Sequence, residues 1–129
     1  MHPPTLKSGT GGSGGLQSPS DIWKVEELLW TGGTDAFERR LGPICTMAFP
    51  GAGILDRDDI LPTLSLAPRW SHVDMRKRHQ AETNGTIVLA YHAHALREGD
   101  APYDALCSST WLDTADGWRI VQHQQSLLN

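Results

Sequence analysis

The sequence is short of cysteine, of basic charge and of long apolar runs, and each shortage removes a class of protein. Only two cysteines occur in 129 residues, Cys45 and Cys107, far apart and with no CxxC spacing, so neither a disulfide-stapled scaffold nor a zinc ribbon is indicated. Both lie in apolar runs, where a free thiol packs as a small hydrophobe. They read as reduced core residues of a cytoplasmic protein. Eleven Lys and Arg against fifteen Asp and Glu give a formal net charge of -4, which argues against a nucleic-acid partner. The single basic cluster, Arg76-Lys77-Arg78-His79, would send its members to opposite faces of a strand. No apolar run approaches the roughly 20 residues of a membrane span. The N-terminus also lacks the apolar stretch of a signal peptide, so no membrane partner is expected.

What is present describes one domain. Apolar residues make up 39% and charged residues 20%, within the range of globular domains. Residues 1–17 carry Ser8-Gly-Thr-Gly-Gly-Ser-Gly-Gly15, a linker-like tail that cannot bury enough apolar surface to offset its ordering entropy. The folded domain is expected over 18–129. Ser18, Pro19 and Asp21 suit the start of a helix. Ile22, Val25, Leu28 and Leu29 then give an apolar face through Trp30, with Lys24, Glu26 and Glu27 turned to water. A second short helix runs from Ala36 to Leu41, and Gly42-Pro43 stops it. Ile44–Phe49 reads as a strand. Asp56-Arg-Asp-Asp59 opens a third helix with carboxylates in its first turn, and Pro62 and Pro68 shorten it. Four strand-like runs follow: Trp70–Ala81, Thr86–Arg97, Tyr103–Leu112 and Trp118–Leu127. Asn84-Gly85 and Asp116-Gly117 supply the positive-φ positions that hairpin turns need.

The order helix, helix, strand, helix, then four antiparallel strands predicts an α+β domain with N-terminal helices packed in a strongly curved, mainly antiparallel sheet. The runs carrying a resemblance are Ile22-Trp-Lys-Val-Glu-Glu-Leu-Leu-Trp30, Phe49-Pro-Gly51, Ile54-Leu-Asp-Arg-Asp-Asp-Ile60, Arg97-Glu-Gly99 and Gly117-Trp-Arg-Ile-Val-Gln-His-Gln-Gln-Ser126. Together they resemble the nuclear transport factor 2-like superfamily, in particular its small stand-alone bacterial members of unknown function. The resemblance implies a cone with an internal cavity. It does not imply one function, because the superfamily holds ketosteroid isomerases, polyketide cyclases, dehydratases and non-enzymatic oligomerisation modules.

Period-two alternation predicts what lines that cavity. The more apolar set runs through Cys45, Met47, Phe49, Ile87, Leu89, Tyr91, Tyr103, Cys107, Ser109, Trp111, Trp118, Ile120, Gln122 and Gln124. The opposite set carries His92, His94, Arg119, Val121 and His123. An isomerase of the resembled kind would place a carboxylate base near Phe49, a tyrosine near Val25 and a second acid near Ser109. None of those types is there, and Glu26 falls on the outer helix face. The expected inner wall therefore contains no acid and no histidine, and no catalytic residue can be named. Its ligand-binding residues are expected to be Val25, Leu29, Phe49, Tyr91, Cys107, Ser109, Trp118, Gln122 and Gln124, around a small apolar or aromatic molecule. If the frame of the last strand inverts, histidine enters the cavity and a lyase-, isomerase- or cyclase-type acid/base role opens. A third reading is a non-catalytic dimerisation module. Val88, Ala90, Leu106, Val121 and Leu127 among the histidines suggest homodimerisation through the outer sheet face. No metal and no cofactor is expected, since no acidic or cysteine ligand accompanies the histidine pair.

Overall fold

The computed structural model describes residues 19–128, and side chains from residue 22 onward. The tail at 1–17 and the cap at Ser18 lie outside the described residues. The order is α1 (Pro19–Thr31), α2 (Thr34–Arg40), β1 (Leu41–Phe49), β2 (Gly53–Asp56), α3 (Arg57–Ser65), β3 (His72–Thr83), β4 (Thr86–Leu96), β5 (Tyr103–Thr114) and β6 (Gly117–Leu127). The six strands form one curved sheet in the order β2-β1-β6-β5-β4-β3, with the helices on its concave side. The expected α+β class is the observed one.

Local chemistry explains the boundaries. Asp56 caps α3, its carboxylate accepting from the Asp59 N–H at 3.2 Å, and Asp58 and Asp59 are the carboxylates expected in its first turn. Asn84 and Gly85 both take positive φ, giving the two-residue turn that matches strand twist between Thr83 and Thr86. Between β5 and β6 the pairing closes at Thr114 with Gly117, and Gly117 holds φ near +100°.

Three features differ from the sequence expectation. β2 is an additional short strand that pairs antiparallel with β1. β1 also begins earlier, running through Gly42-Pro43 to lie parallel to β6, so the sheet is mixed. Proline is tolerated near a strand's start, where its missing N–H disturbs the ladder least. The third difference decides the site. Trp111 pairs with Ile120 but Thr110 pairs with Gln122, so Val121 is an extra, bulged residue in β6. A one-residue bulge turns every later side chain to the opposite face. Trp118 and Ile120 are inward, as expected. Beyond the bulge, His123 and Gln125 point inward, while Gln122 and Gln124 do not.

The core runs along this inner face. Ile22, Leu89, Ala93, Trp111 and Ile120 are wholly buried, and α1 lies against β3 while α3 packs on β1 and β2. On α1 the buried positions are Ile22, Val25, Glu26, Leu29 and Trp30, whereas Leu28 is 53% exposed. The apolar stripe is therefore rotated from the expected one, and Glu26 sits inside it.

Candidate functional site

Glu26 is the buried acid of the concave face, with no exposed surface. A carboxylate survives burial only when its oxygens are hydrogen-bonded. Here the Tyr91 hydroxyl donates to Oε2 at 2.6 Å, the Ser109 hydroxyl to the same oxygen at 2.6 Å, and the Trp111 indole N–H to Oε1 at 2.9 Å. The Trp30 indole in turn donates to the Tyr91 oxygen at 3.0 Å. Two strands, β4 and β5, and one helix thus converge on one side chain.

His123 extends this network toward the cavity. Ser109 and His123 are direct cross-strand partners on β5 and β6, and His123 Nδ1 lies 2.6 Å from the Ser109 oxygen and 3.6 Å from Glu26 Oε2. Because the Ser109 proton is committed to Glu26, the short contact assigns the proton between His123 and Ser109 to Nδ1. Nε2 is then the acceptor, and the Gln125 amide donates to it at 3.1 Å. The Tyr103 hydroxyl fixes that amide by donating to its oxygen at 2.7 Å. Burial lowers the His123 pKa from its ordinary value, an effect that the Glu26 charge opposes. The ring therefore resists protonation, and its basic nitrogen lies under the Gln125 amide on the cavity lining. Trp30 and Phe49 pack against the ring, with centroids 6.4 and 5.8 Å away.

That space is a cavity of about 230 Å³. Its floor is Leu29, Trp30, Met47 and Phe49, and its far wall includes Phe37, Leu64, Trp70 and Tyr103. Trp70 and Tyr103 stack obliquely at 5.2 Å. Arg69 and Arg97 stand on the same lining, with His123 and Gln125 as its other polar groups apart from Tyr103.

The candidate residues read from the sequence separate into three groups. Leu29 and Phe49 line the cavity. Val25, Tyr91, Cys107, Ser109 and Trp118 are buried behind it, Tyr91 and Ser109 as hydrogen-bond partners of Glu26. Gln122 and Gln124 correct the expectation: Gln122 accepts from Thr110 at 3.0 Å and donates to Ser108, and Gln124 is exposed. The expectation of an inner wall without acid or histidine is likewise wrong, because the Val121 bulge and the rotated α1 stripe bring in His123 and Glu26. Glu26 could have been found: Ile22, Val25, Glu26, Leu29 and Trp30 follow the i, i+3, i+4, i+7, i+8 pattern of a buried stripe. His123 had no comparable signal.

His92 and His94 stay on the outer face, where both rings contact Asp104 Oδ1 at 2.9 Å. Those two contacts hold the Asp104 carboxyl below its ordinary range. No group of three or more metal-ligating side chains occurs among the described residues. Both cysteines are buried and free, and burial together with the Glu26 charge pushes the Cys107 thiol up to about 12. Cys107 is consequently a packing residue and not a nucleophile. No helix among the described residues is long and apolar enough to cross a membrane.

No protein-family model and no curated protein matches the chain. Solved structures do match its shape. A candidate ketosteroid isomerase from Parabacteroides distasonis superposes with a TM-score of 0.74 at 18% identity, over 88% of this chain and 89% of that one. The CaMKII hub of S. rosetta gives 0.70 at 17% identity, over 87% and 98%. A candidate dehydratase of the NTF2-like family from Streptomyces avermitilis gives 0.71 at 14% identity, over 84% and 95%. At such identities the likeness is one of architecture, in keeping with the curved six-stranded sheet and three helices described above: the chain has the nuclear transport factor 2-like fold.

Proposed function

We propose that the chain is a small-molecule enzyme of the isomerase or lyase kind, in which His123 moves a proton on a ligand held in the cavity. The observation that carries this reading is the Glu26–Ser109–His123 chain, with its two 2.6 Å contacts and its outer end, Nε2, covered only by the Gln125 amide on the cavity wall. In it, the ligand displaces the Gln125 amide from Nε2, Nε2 takes a proton from a carbon or hydroxyl of the ligand, and the electron pair stays on the ligand. The imidazolium so formed gains the Glu26 charge at 3.6 Å, and Nδ1–H keeps its bond to Ser109. Returning the proton to another atom completes an isomerisation; returning it to a departing hydroxyl releases water. A neutral imidazole of depressed pKa suits the first step at neutral pH. The names of two structural neighbours, an isomerase and a dehydratase, are in keeping with this chemistry.

The test is 5-nitrobenzisoxazole, an aromatic bicycle whose ring opens when one base removes one C–H proton and the N–O bond breaks. The full chain is expected to accelerate this opening, with a rate that holds through the ordinary histidine value of about 6.5 and falls only at lower pH, because burial depresses the His123 pKa. His123→Gln should lose about 100-fold or more of the acceleration, the typical worth of a positioned general base. Equal rates for the two folded proteins would overturn the reading.

A second property belongs with it. On the outer sheet face Leu106 is 53% and Val88 40% exposed, on β5 and β4 with Leu106 opposite His92 and Val88 opposite Thr110, and we propose that this face pairs two copies of the chain. The pairing of Leu127 with inward Ala105 puts Leu127 on the concave side, so the apolar patch is smaller than the sequence suggests. Two neighbours named as a hub and an association domain favour self-association of this architecture.

A further inference from the structure

We propose that the cavity takes a carboxylate-bearing aromatic or alicyclic molecule, its anionic group seated on Arg69 and Arg97 and its ring against Trp70 and Tyr103. The inference rests on the same cavity as the proton-transfer reading and names its ligand class. Its first support is a charge imbalance. The chain carries a formal net charge of -4, yet the cavity lining holds two arginines and no aspartate or glutamate. Of the two acids near the site, Glu26 is fully occupied by Tyr91, Ser109 and Trp111 behind the wall, and Asp100 meets Arg97 only from the exposed rim.

Arg69 is the principal cation. Its guanidinium donates to the carbonyls of Gly32, Leu29 and Trp30, closing the C-terminal end of α1, and lies 5.1 Å above the Phe37 ring. Among the described residues no carboxylate pairs with it. Nη1 has no hydrogen-bond partner among the described residues, so a donor remains for an acceptor in the cavity. Burial and the Arg97 charge lower the Arg69 pKa, the response of a half-buried cation whose nearest charged neighbour is another cation.

Arg97 is fixed beside it. It stacks over Trp70 at 4.1 Å, donates to the Pro68 carbonyl at 2.9 Å and pairs with Asp100 at the rim. Two guanidiniums held over aromatic faces form a fork suited to a carboxylate. The remaining lining, from Trp30 and Met47 to Phe49 and Leu64, is apolar, and about 230 Å³ accommodates one or two fused rings. An anion seated at the arginines leaves the ring's far edge toward His123.

The experiment is calorimetric titration of the full chain with 2-naphthoate and with 2-naphthamide, two molecules of nearly the same shape that differ in charge. Naphthoate is expected to bind at least about tenfold more tightly, with an advantage that shrinks as salt is raised. Arg97→Gln, and independently Arg69→Lys, should cut that advantage while leaving naphthamide affinity unchanged, and the second variant keeps a charge for the carbonyls of α1. His123→Gln should keep the naphthoate preference, so a failed benzisoxazole assay with a retained preference would remove the proton-transfer reading and leave this one standing. Conversely, equal affinity for both naphthalenes, each shifting the His123 ring resonances, would keep the cavity reading and overturn the anion site. Binding of neither would overturn both.

Discussion

At the scale of single residues, the decisive one is Glu26, because three donors depend on it. Glu26→Gln preserves shape but replaces an acceptor oxygen with an amide that donates, so at least one of the Tyr91, Ser109 and Trp111 donors loses its partner. Leaving one buried donor unsatisfied costs about 1–3 kcal/mol, and a urea midpoint should fall accordingly. The same variant has a second readout. Glu26 raises the His123 pKa against the lowering by burial, so removing its charge should move the imidazole titration, followed by NMR, to still lower pH. A shift upward would mean that Glu26 does not act on His123 as a charge. The stability consequence has a definite sign. The unfolded chain protonates His123 near the ordinary value of about 6.5, while the folded chain resists protonation. Stability is therefore fully present above that value and declines as pH falls from it toward the depressed folded value. His123→Gln should remove that part of the decline.

At the scale of elements, much of the fold was legible and half of the site was not, for reasons of backbone geometry. The Asp56 cap, the Asn84-Gly85 turn and the four long strands follow from local signals that tertiary contacts did not override. β2 was hidden because Gly53–Asp56 is four residues long and pairs only at the sheet edge. The inner face of β6 was hidden because alternation carries a frame forward only while no residue is inserted. Ile120 and Val121 are both apolar, and nothing in their identity says which one bulges. The bulge has a structural counterpart in Gly42. A Cβ there would meet the Ile120 and Ile44 carbonyl oxygens and Val121 Cγ1, each at 3.0 Å, so the close approach of β1 to the bulged part of β6 leaves a side chain room only if these neighbours give way. Gly42→Ala is expected to destabilise by about 1–3 kcal/mol, the usual range for overpacking, because two of the three obstructing atoms are backbone. Thermal melts of Gly42→Ala beside Gly33→Ala, where a Cβ meets nothing within 4 Å, separate this crowding from a general glycine effect. Equal melting temperatures would remove the steric account of the β1–β6 junction.

At the scale of the whole molecule, the curved sheet separates two chemistries. Its concave side holds the cavity and the Glu26 network; its convex side presents Val88 and Leu106 beside His92, His94 and Asp104. The proposed pairing uses only the second side, so assembly and cavity binding should be separable by mutation. Stable interfaces bury on the order of 1,200–2,000 Å² in total, with apolar residues at their centre, and Leu106 at 53% exposure is placed to be such a centre. Sedimentation velocity is expected to show a dimer for the full chain and a monomer for Leu106→Glu, which sets like charges against each other across a twofold contact. Because Leu106 faces away from the cavity, the monomeric variant should bind 2-naphthoate as the parent does. The other exposed apolar residues offer an internal control, since Ile44 and Ile54 are 68% and 80% exposed on β1 and β2, at the opposite end of the sheet. If Ile54→Glu gives the monomer and Leu106→Glu stays dimeric, the interface lies along that end and not on the β4–β5 face. A parent chain that sediments as a monomer at high micromolar concentration would leave neither surface a role in self-association.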